Sequence, residues 1–193
     1  MKVNEIFYSL QGEGYYSGTP AVFVRLSGCN LSCPFCDTQH ESGREMREEE
    51  IVAEVTKYPS RHVVVTGGEP SLQLTASLVD KLHAVGKYVA VETNGTHPLP
   101  PNVDWVTLSP KDAFVDGAEV VLSRADEIKV VFDGIHYPLP TTCYPLSTFT
   151  FLQPCDTGDA VRNAEIVQAT IEYIKSHPEW RLSLQTHKII GIQ

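Results

Sequence analysis

This 193-residue sequence lacks several features that mark whole classes of protein. It has no apolar stretch long enough to span a bilayer, and its first residues, 1–5, lack the apolar segment of a secretory signal. We therefore expect a cytoplasmic protein that does not contact a membrane. Basic residues are few, with 15 Lys and Arg against 24 Asp and Glu and a net charge of −9. Such an acidic chain is not expected to bind nucleic acid.

Cysteine is also sparse. The chain has five cysteines, an odd number, which argues against a disulfide framework. No internal repeat, low-complexity segment or linker interrupts the sequence. With 42% hydrophobic and 20% charged residues, the composition predicts a single globular domain over residues 1–193.

Apolar runs alternate with helical patterns along the chain. The runs predict strands at 21–26, 62–66, 88–92, 105–108, 127–132 and 149–152, and the patterns predict helices at 45–58, 71–85 and about 161–176. Repeated strand and helix alternation implies a parallel sheet with right-handed crossovers. Because a complete eight-stranded barrel needs about 250 residues, we expect an α/β fold: a shortened, open (partial) TIM-type barrel of about six parallel strands.

Three of the cysteines stand close together after the first predicted strand. Cys29, Cys33 and Cys36 form a C-x3-C-x2-C pattern in the loop 28–38. Three soft thiolates on one metal centre leave one coordination position without a protein ligand. An iron–sulfur cluster with such an open iron can bind and reduce a small molecule there. The spacing therefore indicates a reactive site and not a purely structural one.

Simpler interpretations of the loop stand beside this one. His40 could complete a Cys3His zinc tetrahedron with the three cysteines. A disulfide between two of the thiols would leave the third unpaired. Three unrelated buried thiols are a further alternative, but Pro34 and its polar neighbours are typical of a turning loop.

Polar residues follow several other predicted strands. The run 62–66 leads into Gly67-Gly68-Glu69-Pro70, where the two glycines would let backbone approach a ligand closely. An ordinary strand-to-helix turn would also explain this tetrapeptide. Polar groups likewise follow later strands at 92–95, 109–111 and 153–154. In strand–helix barrels the carboxyl ends of the strands carry the catalytic residues, so we expect the site there.

Together, the cysteine loop and the Gly-Gly-Glu-Pro turn resemble the motifs of radical S-adenosylmethionine enzymes. A closer resemblance, to the family of 7-carboxy-7-deazaguanine synthases, rests on the segments 4–14, 23–25, 36–38, 65–70, 92–93, 109–111 and 184–188. It implies a radical lyase with a four-iron four-sulfur cluster on Cys29, Cys33 and Cys36, and S-adenosylmethionine on the fourth iron. It also implies Mg²⁺ on Thr38, which by itself would be interpreted as a turn residue.

The resemblance also assigns binding residues. It implies contacts to S-adenosylmethionine at Phe35, Cys36, Asp37, Gly68, Glu69, Gly95, Ser109, Lys111 and Gln153. It implies contacts to a pterin substrate at Leu10, Gln11, Gly12, Arg25, Thr93 and His187. The planar fork of Arg25 suits the substrate carboxylate, although an ordinary salt bridge is the alternative role. His187 could instead be a solvated residue of the carboxyl-terminal tail.

The implied reaction converts 6-carboxy-5,6,7,8-tetrahydropterin to 7-carboxy-7-deazaguanine with loss of ammonia, as a step toward queuosine and related 7-deazapurines. The implied partners are a reductant such as flavodoxin or ferredoxin and a second copy of the chain in a homodimer. Two other functions remain open at this point. One is a radical activase that acts on a glycyl-radical partner, and the other is a zinc-stabilised module without catalysis.

Overall fold

Nine strands form one open sheet in the computed structural model, which describes residues 1–145 and 147–193. The strands are β1 (Lys2–Leu10), β2 (Pro20–Leu26), β3 (Arg44–Glu45), β4 (His62–Gly67), β5 (Tyr88–Thr93), β6 (Trp105–Leu108), β7 (Glu127–Phe132), β8 (Phe149–Pro154) and β9 (Arg181–Leu182). The helices are α1 (Glu48–Val55), α2 (Ala76–Ala84), α3 (Ala160–Ser176) and α4 (Thr186–Ile190), with 3₁₀ turns at Pro70–Leu72 and Thr141–Cys143. No helix in these described ranges is long and apolar enough to cross a membrane.

The order of the strands confirms the predicted partial barrel. The sheet runs β3-β1-β2-β4-β5-β6-β7-β8-β9, and every pairing from β2 to β9 is parallel. All six predicted strands belong to this parallel part. β1 and β3, which were not predicted, extend it through antiparallel pairing. Since β3 and β9 lie at opposite edges, the barrel does not close.

Each central strand buries both of its faces. On the outer face, valines of β2, β4 and β5 pack with Ile51 of α1 and with Leu78 and Leu82 of α2. On the inner face, Phe23 and Val64 pack with Ala90. This double burial explains why the strands read as continuous apolar runs rather than as alternating ones.

The first two helices are shorter than predicted. The predicted helix 45–58 begins only at Glu48, because Arg44–Glu45 pairs with β1 as a strand and the Glu50 carboxylate accepts the Arg47 backbone N–H. The predicted helix 71–85 divides into the 3₁₀ turn and α2, whose start is fixed by the Thr75 hydroxyl accepting the Leu78 N–H. The third helix begins and ends as predicted to within one residue.

An aromatic cluster lies where the parallel strands begin. The Tyr15 ring lies 5.2 Å from Trp105 at the start of β6 and 4.2 Å from Phe149 at the start of β8, measured between ring centroids. Tyr16 packs on His62 at the start of β4, 4.4 Å away, and on Trp105, 4.9 Å away. The β1–β2 loop therefore covers the amino ends of the strands with aromatic rings, and the opposite ends border an open cavity.

Candidate active site

A cavity of about 680 Å³ lies at the carboxyl ends of the parallel strands. Its volume falls in the range of small-molecule binding sites. It brings together most residues assigned from the sequence, and those that line it are Leu10, Gln11, Gly12, Arg25, Cys29, Cys33, Phe35, Cys36, Asp37, Thr38, Gly68, Thr93, Ser109, Lys111, Gln153 and His187. Residues from 10 to 187 in the chain thus meet in one place, as the barrel topology predicts.

Two assigned residues, Glu69 and Gly95, do not line the cavity in the described chain. The Glu69 carboxylate is fully buried and accepts hydrogen bonds from Ser71 N (2.9 Å), Thr93 Oγ1 (2.7 Å) and Asn94 N (2.7 Å). Gly95 N donates to Thr93 Oγ1 at 3.0 Å. Both residues therefore connect the ends of β4 and β5, and their contact with S-adenosylmethionine stays a prediction.

The two glycines after β4 support the cysteine loop. Gly68 N donates to Leu26 O (3.0 Å), and Glu69 N donates to Gly28 O (2.8 Å). A Cβ on Gly68 would lie 1.8 Å from Gly28 O, and one on Gly67 would lie 2.1 Å from Leu26 O. We expected the two glycines to let the backbone approach a ligand closely. In the structure they let it approach the backbone of Leu26 and Gly28 closely, and both glycines also border the cavity.

The three thiols of this loop are free and face the cavity. Cys29 and Cys33 are half-buried and Cys36 is exposed. Burial raises the pKa of the Cys29 thiol; it also raises that of Cys33, where the Lys111 ammonium opposes the effect. Iron binding must therefore displace protons from these two sulfurs.

The sequence assigned three further residues to S-adenosylmethionine: Ser109 and Lys111, which follow β6, and Gln153, which lies in β8. Burial lowers the pKa of the Lys111 ammonium to about 8, and Lys111 Nζ donates to Ser109 O and Oγ at 2.6 Å each. Gln153 is buried, and its side-chain carbonyl accepts from the Ser183 hydroxyl at 2.8 Å. These contacts hold the polar groups at the strand ends in fixed orientations.

Arg25 forms the salt bridge considered for it and also borders the cavity, and its contact with the substrate stays a prediction. Its Nε donates to Glu5 Oε1 at 2.8 Å, which is the salt bridge. Its Nη1 points to Thr38 Oγ1 at 3.4 Å, and both Arg25 and Thr38 border the cavity. The guanidinium also lies over the Phe7 ring, 5.6 Å from its centroid. Its Nη2 has no hydrogen-bond partner among the described residues, so N–H groups remain for a ligand after the pair with Glu5 has oriented the side chain.

The carboxyl-terminal helix α4 brings His187 into the cavity wall. Thr186 N and Oγ1 donate to Gly12 O at 3.0 and 2.7 Å. A Cβ on Gly12 would lie 2.2 Å from His187 Nδ1, so the glycine leaves the space that the imidazole needs. His187 is half-buried here, which differs from a solvated tail residue.

Comparison with known proteins identifies the family. The Radical SAM superfamily pattern matches residues 23–135. A protein of Bacteroides thetaiotaomicron named 7-carboxy-7-deazaguanine synthase is 53% identical over 100% of this chain and 98% of its own length. A protein of the same name from Bordetella pertussis is 42% identical, over 98% of each chain. This chain belongs to the 7-carboxy-7-deazaguanine synthases. The crystal structure of QueE from Escherichia coli matches with a TM-score of 0.74 and 33% identity, over 96% of this chain and 94% of that one.

A 7-carboxy-7-deazaguanine synthase of the radical SAM superfamily uses a four-iron four-sulfur cluster and S-adenosylmethionine. The residues present fit these cofactors, because three free thiols and the polar strand ends border the same cavity. A cluster binds each thiolate at a different iron, so the sulfurs need not converge on one ion. No three His, Cys, Asp or Glu side chains in the described part converge on a single metal ion, so the zinc alternative gains no support.

Six charged residues that line this synthase cavity in the described chain were not assigned from the sequence: Glu5, Glu13, Glu92, Lys129, Asp156 and Lys188. Lys129 is 4% exposed, although it lies in the middle of an apolar strand. Glu127 and Lys129 alternate with Ile128 and Val130 in β7, which places both charges on the opposite face from those apolar residues. That alternation was the signal available in the sequence.

Proposed function

We propose that the chain converts 6-carboxy-5,6,7,8-tetrahydropterin to 7-carboxy-7-deazaguanine and ammonia. The observation that carries the proposal is the Arg25–Thr38 pair, which offers guanidinium and hydroxyl groups to a carboxylate in the same cavity as the three thiols. The product differs from the substrate by one ammonia, so the overall reaction needs no net oxidant. A cavity of about 680 Å³ suits a small molecule, which favours the lyase over the activase.

The cofactors would lie against the thiol side of the cavity. The cluster on Cys29, Cys33 and Cys36, with S-adenosylmethionine on its open iron, supplies the one-electron chemistry. Ser109, Lys111 and Gln153 would hold the polar groups of that cofactor from β6 and β8, since their side chains are already oriented there. A reductant such as flavodoxin or ferredoxin would supply the electron.

The substrate carboxylate would bind where Arg25 meets Thr38, the last residue of the cysteine loop. A planar guanidinium binds a carboxylate with two parallel hydrogen bonds, and Arg25 has N–H groups left for this after its contact with Glu5. Thr38 Oγ1, 3.4 Å from Arg25 Nη1, would bind a Mg²⁺ ion that the substrate carboxylate also contacts. Gln11, Gly12, Thr93 and His187 would surround the rest of the pterin.

Anaerobic turnover tests the proposal. Protein reconstituted with iron and sulfide, S-adenosylmethionine, Mg²⁺, a reductant and the carboxytetrahydropterin should give 7-carboxy-7-deazaguanine, detected by mass spectrometry. Omitting Mg²⁺ should lower the rate, and Thr38→Val should weaken the response to Mg²⁺ more than Thr38→Ser does. A fully loaded cluster that yields no product from this pterin would refute the proposal.

Three further expectations come from the sequence. A homodimer predicts twice the mass of one chain in analytical ultracentrifugation, and a monomer at micromolar concentration would contradict it. A single domain predicts one cooperative unfolding transition. A cytoplasmic location follows from the need to keep the cluster cysteines reduced.

A further inference from the structure

Lys129 is a buried cation at the centre of the barrel. Its residue is 4% exposed and borders the cavity. A buried ammonium is costly unless charged or polar groups compensate for the water that it has lost. The role of Lys129 therefore depends on the charged and polar groups that surround its ammonium.

Two carboxylates provide this compensation. Lys129 Nζ forms an ion pair with Glu13 Oε2 and lies 3.8 Å from Glu92 Oε1. Burial alone would lower the pKa of Lys129, but the carboxylates of Glu13 and Glu92 raise it. Burial alone would raise the pKa of Glu13, and the Lys129 ammonium holds it below its ordinary value. Lys129 and Glu13 are therefore both charged at neutral pH.

Neutral hydrogen-bond donors fix the orientation of the two carboxylates. Glu13 Oε1 accepts from Gln185 Nε2 at 3.0 Å. Glu92 Oε1 accepts from Gln11 Nε2 at 2.9 Å, and Glu92 Oε2 accepts from Thr66 Oγ1 at 3.2 Å. These donors come from three separate parts of the chain, so neither carboxylate can turn freely.

The carboxylates keep acceptor capacity that the protein does not use. An ionised carboxylate has about four lone-pair positions. The contacts given above occupy two on Glu13 and two on Glu92, leaving aside the longer approach of Lys129 to Glu92. Both residues border the cavity, where a ligand can reach the unused positions.

A pterin has donors that match these positions. Its aminopyrimidinone ring carries an N3–H next to a 2-amino group, so two N–H bonds lie side by side in one plane. A carboxylate binds such a donor pair as it binds the fork of an arginine. The other end of the substrate carries the carboxylate that Arg25 would hold.

We propose that Lys129 is a positioning residue that holds Glu13 and Glu92 as acceptors for the aminopyrimidinone edge of the pterin. The inference rests on the proposed function for the identity of the substrate class. It assigns specificity for a 2-amino pteridine to the side of the cavity formed by β5, β7 and the β1–β2 loop. If Lys129 served only to balance charge, its loss would lower stability without changing which pteridine is bound.

Equilibrium binding of pterin-6-carboxylate and of its 2-oxo counterpart, followed by fluorescence on cluster-loaded protein with S-adenosylmethionine, tests the assignment. The wild type should prefer the 2-amino compound by about tenfold or more, because a 2-oxo group turns an acceptor toward the carboxylates. Lys129→Met should weaken binding of the 2-amino compound by about tenfold or more and lose the preference, while iron content and S-adenosylmethionine affinity stay unchanged. Lys129→Arg should restore most of both.

Two further variants keep the test decisive. Lys87→Met is the matched control, because Lys87 Nζ donates to Tyr58 O and Ser60 O outside the cavity. This variant should leave pterin binding unchanged. Glu13→Gln, which preserves shape and can donate a hydrogen bond, should reduce the preference even if Lys129→Met fails to fold. An unchanged preference in Lys129→Met or in Glu13→Gln would overturn the inference.

Binding and turnover separate the inference from the proposed function. A wild type that prefers the 2-amino compound through Lys129 but forms no 7-carboxy-7-deazaguanine refutes the proposed reaction and supports the inference. Normal turnover with a preference that Lys129→Met does not alter refutes the inference alone.

Discussion

The two ends of the parallel strands differ in chemistry although the same strands form both. At the amino ends, Tyr15 and Tyr16 pack against Trp105 and Phe149, and aromatic contacts cover the barrel. At the carboxyl ends, glycines, thiols and polar side chains surround a cavity. The same parallel strand therefore contributes to hydrophobic packing at its amino end and to the candidate active site at its carboxyl end.

The difference also shows how each end is held in place. The aromatic end depends on side-chain contact, whereas the cysteine loop is held by backbone hydrogen bonds that Gly68 N donates to Leu26 O and Glu69 N donates to Gly28 O. Substitutions at the amino ends should therefore change stability and spare the cofactors. Substitutions beneath the loop should remove the cofactors.

The largest effect is expected for Gly68→Ala. The new Cβ would overlap Gly28 O, so the loop must move away from β4. We expect a loss of about 3 kcal/mol or more in stability and a cluster content well below the about four irons per chain of a loaded site. Iron analysis after anaerobic reconstitution, with thermal melting, measures both.

Gly158→Ala is the control for that substitution. Gly158 has φ of +77° in an exposed turn, and no atom of the described residues lies within 4 Å of the position of a Cβ. It should cost about 1 kcal/mol through backbone strain alone and keep its iron. Full iron loading in Gly68→Ala would show that the loop does not depend on the close approach.

A smaller effect, confined to stability, is expected for Tyr16→Ala. It removes ring contacts with His62 and Trp105 and the hydrogen bond to the Tyr88 hydroxyl at 3.2 Å. Unfolding should become easier by about 2–3 kcal/mol, which lowers Tm by about 8 °C in a chain of this size. Iron content and S-adenosylmethionine affinity should match the wild type.

Tyr137→Ala serves as the exposed tyrosine control, since Tyr137 is 64% exposed. Its Tm should fall by less than that of Tyr16→Ala. The division between the two ends would not hold if Tyr16→Ala lost its iron at temperatures where it remains folded.

The smallest effect concerns Glu127, the first residue of β7, whose carboxylate accepts the Tyr15 backbone N–H at the amino ends. Burial raises the pKa of this carboxyl to about 7, against opposing effects of Lys129 and the Tyr15 N–H. The folded state then binds a proton more tightly than the unfolded chain between about pH 4.5 and 7. Its stabilising contribution is full below that range and is lost as the pH rises through 7. Glu127→Gln should therefore be more stable than the wild type at pH 8, by about 1–3 kcal/mol, and similar to it at pH 5.

Melting curves at both pH values measure this difference, with Glu165→Gln on the exposed face of α3 as the control. Equal Tm values for Glu127→Gln and wild type at pH 8 would contradict the assignment. They would show that burial does not raise the pKa of Glu127 as described.

The sequence predicted the parallel core because its strands are buried on both faces and read as apolar runs. It did not reveal β1, since Lys2–Leu10 mixes polar and apolar residues in a strand that leaves most of its side chains only partly covered. Helix starts were also misplaced, because Thr75 and Glu50 determine them through local hydrogen bonds.

The candidate site likewise has parts that the sequence predicts and parts that only the structure shows. Motifs that are local in sequence, such as the cysteine loop and the glycine turn, could be recognised without the fold. Glu13 and Lys129 are 116 residues apart and become partners only when the barrel forms. Likewise, the five-residue helix α4 gives no periodic signal, so only the fold shows His187 beside Gly12.

An anaerobic crystal structure with S-adenosylmethionine and the carboxytetrahydropterin bound would show which residues hold each end of the two ligands. We expect the sulfonium on the side of Cys29, Cys33 and Cys36, the substrate carboxylate on Arg25, and the aminopyrimidinone edge on Glu13 and Glu92. A pterin bound at the aromatic amino ends, or inside the cavity with its carboxylate away from Arg25, would contradict this expectation.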